Sequence, residues 1–506
     1  MRGQDASTQG IESPHAITWM SHCGRFDFVG EVIADSLPRD FTLLEIPPMP
    51  LSLVPPVDET LLGLSAAIRE RRLTCREVLE RCRSKVREFE PSVQAWVRFG
   101  GEELDQVAES LDAELRYGCW RGPLHGIPIG VKDIYDVAGL PTAAGIPNRA
   151  PDAAREDAEM VLRLRDAGAI IVGKTVTTPY AFFDPPPTRN PWNLDRTPGG
   201  SSSGSAAAVA TGMCLGALGS QTGGSITRPA SFCGIVGYKP TFGLLSRTGM
   251  FPFAPSLDHP GPMARTVEDV IALMTALAPR RLRSAFRALL NTPLDEGIIK
   301  RERMACGSSE SCELGLLWLE EGFIEKVEPA MAEAMKKAVY HLAGCGACPG
   351  SNYADELDLP KLWRCHRALM AVEIARSQAE RLQQHPDQFP PGIRALIEEG
   401  CAVRTSEYAE AIQFQRDLRR KARAAIGNEI WICPAARGAA PTPETTGDPC
   451  MNSPWSFLGF PTITFPMSLS FEGLPLGIQL IAAPHRDLEL FQAARWCEAQ
   501  FRVSYK

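Results

Sequence analysis

PGGSSSGSAAAVATGMCLGALGSQTGGSITRPASFCGIVGYKP, residues 198–240, is unlike an ordinary core, and the rest of the chain is read outward from it. Glycine-serine clusters surround two apolar pieces: residues 206–213, small enough to pack closely as a buried helix, and residues 214–218, a short strand-like run. Gly199 and Gly200 precede Ser201, and Gly223 and Gly224 precede Ser225. Both serines therefore stand where the backbone takes conformations closed to other residues. The consecutive N–H groups of Thr222, Gly223, Gly224 and Ser225 can then converge on one point, which is what stabilising an oxyanion requires.

A serine hydroxyl is a poor nucleophile until a base takes its proton, and this stretch holds no His, Asp or Glu. The best candidate base lies upstream in GPLHGIPIGVKD, where Lys132 ends the apolar run 127–131. Alternation along a strand turns Lys132 away from Asp133. Burial without that neighbouring charge favours the neutral amine.

Lys132, Ser201 and Ser225, set in this order around such a block, resemble the amidase signature family. The similarity runs from about residue 61 to residue 501 and is strongest over 121–145 and 197–240, with further pieces in SLDHPGPMARTVED (256–269), NSPWSFLGFPTITFP (452–466) and GLPLGIQL (473–480). It implies an α/β fold, a large mixed sheet flanked by helices in one domain. It also implies a Ser-Ser-Lys triad: Ser225 attacks the carbonyl and forms an acyl-enzyme. Ser201, preceded by a cis peptide from Gly200, relays the proton to neutral Lys132. By position, the oxyanion hole falls to the backbone of Thr222, Gly223, Gly224 and Ser225, with Gly200, Ser202, Gln221 and Arg228 in support.

The chain departs from the family pattern in two places. Where Asp-Thr-Gly-Gly-Ser and an Arg two residues after the nucleophile are usual, this chain has Gln221 and Thr227, and Arg228 follows one place late. Loop rigidity is then expected from neutral hydrogen bonds or from Arg228.

The remaining sequence sets bounds. No linker interrupts the 506 residues after residue 60, so the reading is an irregular, proline-broken arm over 1–60 and an amidase signature domain over 61–506. A net charge of -7 with no basic excess argues against direct nucleic-acid binding. No basic segment leads into a long apolar run, so neither a signal peptide nor a membrane anchor is expected. Fifteen cysteines, an odd number, point to reduced thiols and a cytoplasmic setting. The chemistry calls for no metal or organic cofactor. A homodimer is what the family suggests.

Helical spacing is read over 75–89, opened by a Thr74–Glu77 capping box and ended by Pro91, and over 102–117, 157–167, 327–342, 362–383 and 489–501. Strands are read at 169–172, 430–436 and 476–482, and residues 279–312 as a basic, irregular connection. Two motif matches are set aside. Residues 168–175 fit a phosphate loop in letters, but their middle is the strand itself. Gly200 to Gly204 fit a nucleophile elbow centred on Ser202, but no strand precedes it. Ser202 and Ser203 are instead assigned to capping the alanine-rich helix. His125, His259 and the Cys345–Cys348 pair are read as structural. Three functions stay open: a stand-alone hydrolase of linear amides, also accepting carbamates or esters; the glutaminase subunit of an aminoacyl-tRNA amidotransferase; and an inactive binding relative.

Overall fold

The computed structural model describes residues 56, 59–149, 151–293, 301–302, 311–312, 314–320, 322–351 and 357–503. Apart from Pro56, Glu59 and Thr60, the arm expected over 1–60 lies outside them. Every described residue lies within Ile46–Lys506.

Thirteen strands are described: β1 (Trp96–Phe99), β2 (Pro128–Lys132), β3 (Ile170–Thr175), β4 (Gly216–Gln221), β5 (Val236–Lys239), β6 (His259–Ala264), β7 (Arg301–Glu302), β8 (Ser311–Cys312), β9 (Leu314–Trp318), β10 (Ala347–Ser351), β11 (Ile430–Pro434), β12 (Thr462–Leu469) and β13 (Pro475–Ile481). Eleven form one sheet in the order β1-β3-β2-β4-β6-β5-β12-β13-β11-β9-β10, and β7 pairs with β8. The sheet is mixed. β2 runs parallel to β3 and β4, and β9 parallel to β10 and β11, while the strands between them pair antiparallel. This is the large mixed sheet flanked by helices that the family resemblance implies.

The three parallel strands β3, β2 and β4 position the site. Lys132 pairs with Thr175 and Val131 with Leu218, so the carboxyl ends of all three come together. The apolar runs in these strands are buried along their whole length, as expected where helices cover both faces. The helix Ser203–Ala210 is buried at every position. Gly204 explains its close approach: a Cβ there would lie 2.2 Å from Ala95 O and 2.4 Å from Val176 N. Instead Gly204 N donates to Val176 O at 2.9 Å.

Several local expectations are corrected. The Thr74–Glu77 capping box is present, but the helix runs through Pro91 to Val93. Pro91 sits in the last turn, where it gives up one backbone bond, and left-handed Gln94 makes the actual stop. β3 extends to Thr175, so the phosphate-loop match lies almost wholly within a strand. Residues 280–291, read as irregular, form a helix whose basic face is exposed while Phe286 and Leu289 are buried. Ser453–Leu458, ahead of β12, form a short helix closed by left-handed Gly459.

Candidate active site

Lys132, at the end of β2, is fully buried, and its Nζ lies 2.7 Å from Ser201 Oγ and 2.9 Å from Ser220 Oγ. Burial pushes the amine well below the ordinary lysine range, with the Asp258 carboxylate pulling the other way. Asp133 faces elsewhere and pairs with Lys174 at 2.8 Å. The Gly200–Ser201 peptide is cis. Ser201 lies against Lys132 ahead of the Ser203–Ala210 helix, and Ser201 O accepts from Thr178 N at 3.3 Å.

Ser225 lies in the loop between β4 and the helix Thr227–Cys233 and is 9% exposed. The hydrogen bonds of the site join Lys132 to Ser201 and Ser220, and none of them includes the Ser225 hydroxyl. Among the described residues, no acceptor takes the N–H groups of Gly223, Gly224 or Ser225. Gly224 packs against Asn452, where a Cβ would come within 2.6 Å of Oδ1.

Gln221 holds the loop with neutral hydrogen bonds. Its Oε1 accepts from Ile226 N at 2.9 Å, Thr227 N at 3.0 Å and Thr227 Oγ1 at 3.1 Å. Its Nε2 donates to Ser456 Oγ at 3.2 Å, and Ser456 Oγ in turn donates to Gly223 O at 2.7 Å. Arg228 serves a different segment, with Nη2 donating to Gly200 O at 2.8 Å. Ser202 and Ser203 do not cap the alanine-rich helix. Ser202 Oγ accepts from Ser220 N at 3.2 Å and donates to Ser220 O at 3.3 Å, while Ser203 Oγ donates to Gly199 O at 2.6 Å. Ser202 is not extended, so its hydroxyl clips β4 rather than the helix end.

Four contributors escaped the sequence reading. Ser220 carried a usable signal, being polar in an otherwise small and apolar run. Ser456 and His366 carried none, since their partners lie in distant sequence; His366 Nε2 donates to Thr222 O at 2.9 Å. Asp258 stood in a recognised segment without a role. Its Oδ1 accepts from Thr222 Oγ1 at 2.6 Å, and Oδ2 from Phe253 N and Ala254 N, both at 3.0 Å. His125 and His259 are buried and hydrogen-bonded to backbone carbonyls. No metal-binding group of His, Cys, Asp and Glu occurs among the described residues.

A cleft of about 710 Å³, walled in part by Phe183, Trp363, His366, Met370, Gly447 and Pro449, opens beside this loop. Lys132, Ser201 and Ser225 do not line it. It meets the loop at Gly223, where a Cβ would lie 3.6 Å from His366 Cε1 and 3.7 Å from Pro449 Cβ. No helix among the described residues is long and apolar enough to cross a membrane.

The family described as Amidase matches residues 77–491. An amidase of Pseudomonas putida is 34% identical over 438 residues, covering 82% of this chain and 90% of the relative. A glutamyl-tRNA(Gln) amidotransferase subunit of Picosynechococcus sp. is 32% identical over 459 residues, covering 83% of this chain and 93% of the relative. The solved peptide amidase of Stenotrophomonas maltophilia superimposes with a TM-score of 0.73 at 26% identity, covering 89% of this chain and 98% of that one. With a family match over most of its length, a mixed sheet of the same kind and the glycine-serine block at its centre, the chain belongs to the amidase signature family.

Proposed function

We propose that this chain hydrolyses a carbon–nitrogen amide bond of a linear amide through a Ser225 acyl-enzyme. The observation that carries the reading is the buried Lys132 amine, 2.7 Å from Ser201 Oγ. Held neutral by burial, the amine accepts a proton from Ser201 with its lone pair and donates to Ser220. Ser201 then takes the proton of Ser225 as Ser225 Oγ attacks the carbonyl carbon. The N–H groups of Thr222, Gly223, Gly224 and Ser225 hold the oxygen that becomes negative. Lys132 returns the proton through Ser201 to the leaving amine, and water releases the acyl group by the same steps in reverse order. Carbamates and esters pass through the same tetrahedral geometry and fall within the reading. An amine base and backbone donors supply what the chemistry requires, so neither metal nor organic cofactor enters it. A cytoplasmic homodimer acting on small amides, without direct nucleic-acid or membrane contact, completes the proposal.

The similarity to an aminoacyl-tRNA amidotransferase component favours one second reading, a glutaminase that passes ammonia to a partner chain. Free activity on diverse amides without a partner separates the two. The primary test is intact mass after a serine-directed fluorophosphonate. One adduct in the wild type, absent from Ser225→Ala and Lys132→Ala, is expected. Labelling that persists in Ser225→Ala refutes the nucleophile, and no labelling anywhere moves the assignment to a partner-dependent or inactive relative.

A further inference from the structure

The helix Leu359–Gln384 carries His366 into the wall of the cleft, and the contact it makes there fixes which ring nitrogen holds the proton. Nε2 lies 2.9 Å from Thr222 O, and a carbonyl only accepts, so the hydrogen is on Nε2. Burial, opposed by that hydrogen bond, pushes the imidazole down to about 4, and the ring is neutral at pH 7. Nδ1 is therefore a bare lone pair, able to accept and unable to donate.

Three histidines are buried among the described residues: His125, His259 and His366. In the first two, one ring nitrogen is sealed in the interior without a partner, Nδ1 of His125 and Nε2 of His259. His366 differs. Its Nδ1 has no hydrogen bond among the described residues and is not sealed, and the space beside it is the cleft that His366 lines. The ring also stands where cleft and nucleophile loop meet, since a Cβ on Gly223 would lie 3.6 Å from its Cε1. A group that reaches Nδ1 is thus beside the loop that carries Ser225.

The walls around this acceptor are flat and apolar, formed by Phe183, Trp363, Met370 and Pro449. Trp363 offers no donor to the cleft, because its Nε1 donates to Cys450 O at 3.3 Å. Arg367 and Arg437 also line the cleft, but they pair with Glu399 at 2.7 Å and with Asp448 at 3.4 Å. An aromatic ring without a donor would strip water from Nδ1 and leave it unsatisfied, whereas a ring bearing an O–H or N–H would replace that water.

We propose that His366 is a specificity-determining residue whose Nδ1 selects aromatic amides with a hydroxyl or amino donor on the ring over their unsubstituted counterparts. The proposal rests on the amide-hydrolase reading for the reaction, though not for the binding.

The test is calorimetric binding of benzamide and of its meta- and para-hydroxy derivatives to Ser225→Ala, a variant that cannot turn over. An apolar slot alone favours benzamide, so the reverse order reports the acceptor. At least one hydroxy isomer is expected to bind about tenfold more tightly than benzamide. That preference should vanish when His366→Met is added and partly survive with His366→Gln, whose amide supplies both a donor for Thr222 O and an acceptor oxygen. A merely structural role in holding Thr222 would weaken all three compounds alike and leave their ratio unchanged. Benzamide binding as tightly as both isomers, or no binding by any of the three, overturns the proposal. So does a hydroxyl preference that persists in His366→Met, which would assign the acceptor to Ser453 or Asp448 on the cleft wall. Should the His366→Met protein fail to fold, the comparison in the Ser225→Ala parent still decides, and His366→Gln reports the site. Failure of the amide-hydrolase reading appears separately, as absent fluorophosphonate labelling of Ser225 in a protein whose binding is intact.

Discussion

Replacing Gln221 with leucine removes the pin that holds the loop of Thr222 to Ser225. Oε1 takes three donors, and two of them, the N–H groups of Ile226 and Thr227, are buried backbone groups with no other partner among the described residues. A buried donor left unsatisfied costs about 1–3 kcal/mol. Two such groups therefore predict a loss of about 4 kcal/mol, the Thr227 hydroxyl being free to re-aim. Leucine fills nearly the same volume, so little of this comes from a cavity. Gln221→Glu keeps all three acceptor contacts but gives up the donation to Ser456 and places a carboxyl where the side chain is fully buried, so its cost is expected to exceed that of the lost bond alone, about 1 kcal/mol. Urea unfolding read by tryptophan fluorescence measures both, since Trp431 and Trp455 are fully buried. The same loop carries the N–H groups proposed to hold the oxyanion, so the fluorophosphonate labelling rate of Gln221→Leu should fall by about 10²-fold. A Gln221→Leu protein that stays within about 1 kcal/mol of wild type and labels at the wild-type rate would refute the pinning role.

Ser220→Ala removes the 2.9 Å partner of Lys132 while leaving the backbone clip to Ser202 in place; labelling should slow by about tenfold with about 1 kcal/mol lost in stability, and an unchanged rate would mean Ser220 does not orient the amine. Asp258→Asn removes the carboxylate that raises the Lys132 pKa against the effect of burial. The acid limb of the labelling rate, where Lys132 becomes protonated, should therefore move to lower pH, and a shift to higher pH would contradict the assignment. Lys239, not used in the reaction, is brought by burial down to about 7. Between that value and an unfolded value of about 10.4 the unfolded chain binds the extra proton, so this contribution is complete above the unfolded pKa and is lost as pH falls through the folded one. Stability should rise by about 1.4 kcal/mol per pH unit across that window from this group, and Lys239→Met should flatten the slope by that amount; an unchanged slope would show that Lys239 keeps its proton in the folded state.

The readable parts of this protein were those written in neighbouring residues. The glycine-serine block, the apolar run ending at Lys132, the capping box at Thr74 and the helical spacing downstream are local patterns. They determined the family resemblance, the sheet class and three candidate residues, because backbone freedom and periodic burial act over a few residues at a time. Misreadings arose where local chemistry had more than one outlet. Ser202 is a good helix cap by type, yet its hydroxyl meets β4, and Pro91 is a helix breaker that a last turn tolerates.

What tertiary structure alone decided is how the loop is held and what the cleft offers. Gln221 meets Ser456 across 235 residues, His366 meets Thr222 across 144, and Arg228 reaches back 28 residues to Gly200. Nothing in residue type or spacing announces such pairs, because hydrogen bonds are short and directional and depend on which surfaces the sheet order brings together. The bare ring nitrogen of His366 belongs to the same class. A sequence records that an imidazole is present, and only the packed chain determines that one of its nitrogens is spent on Thr222 O while the other is left to the cleft.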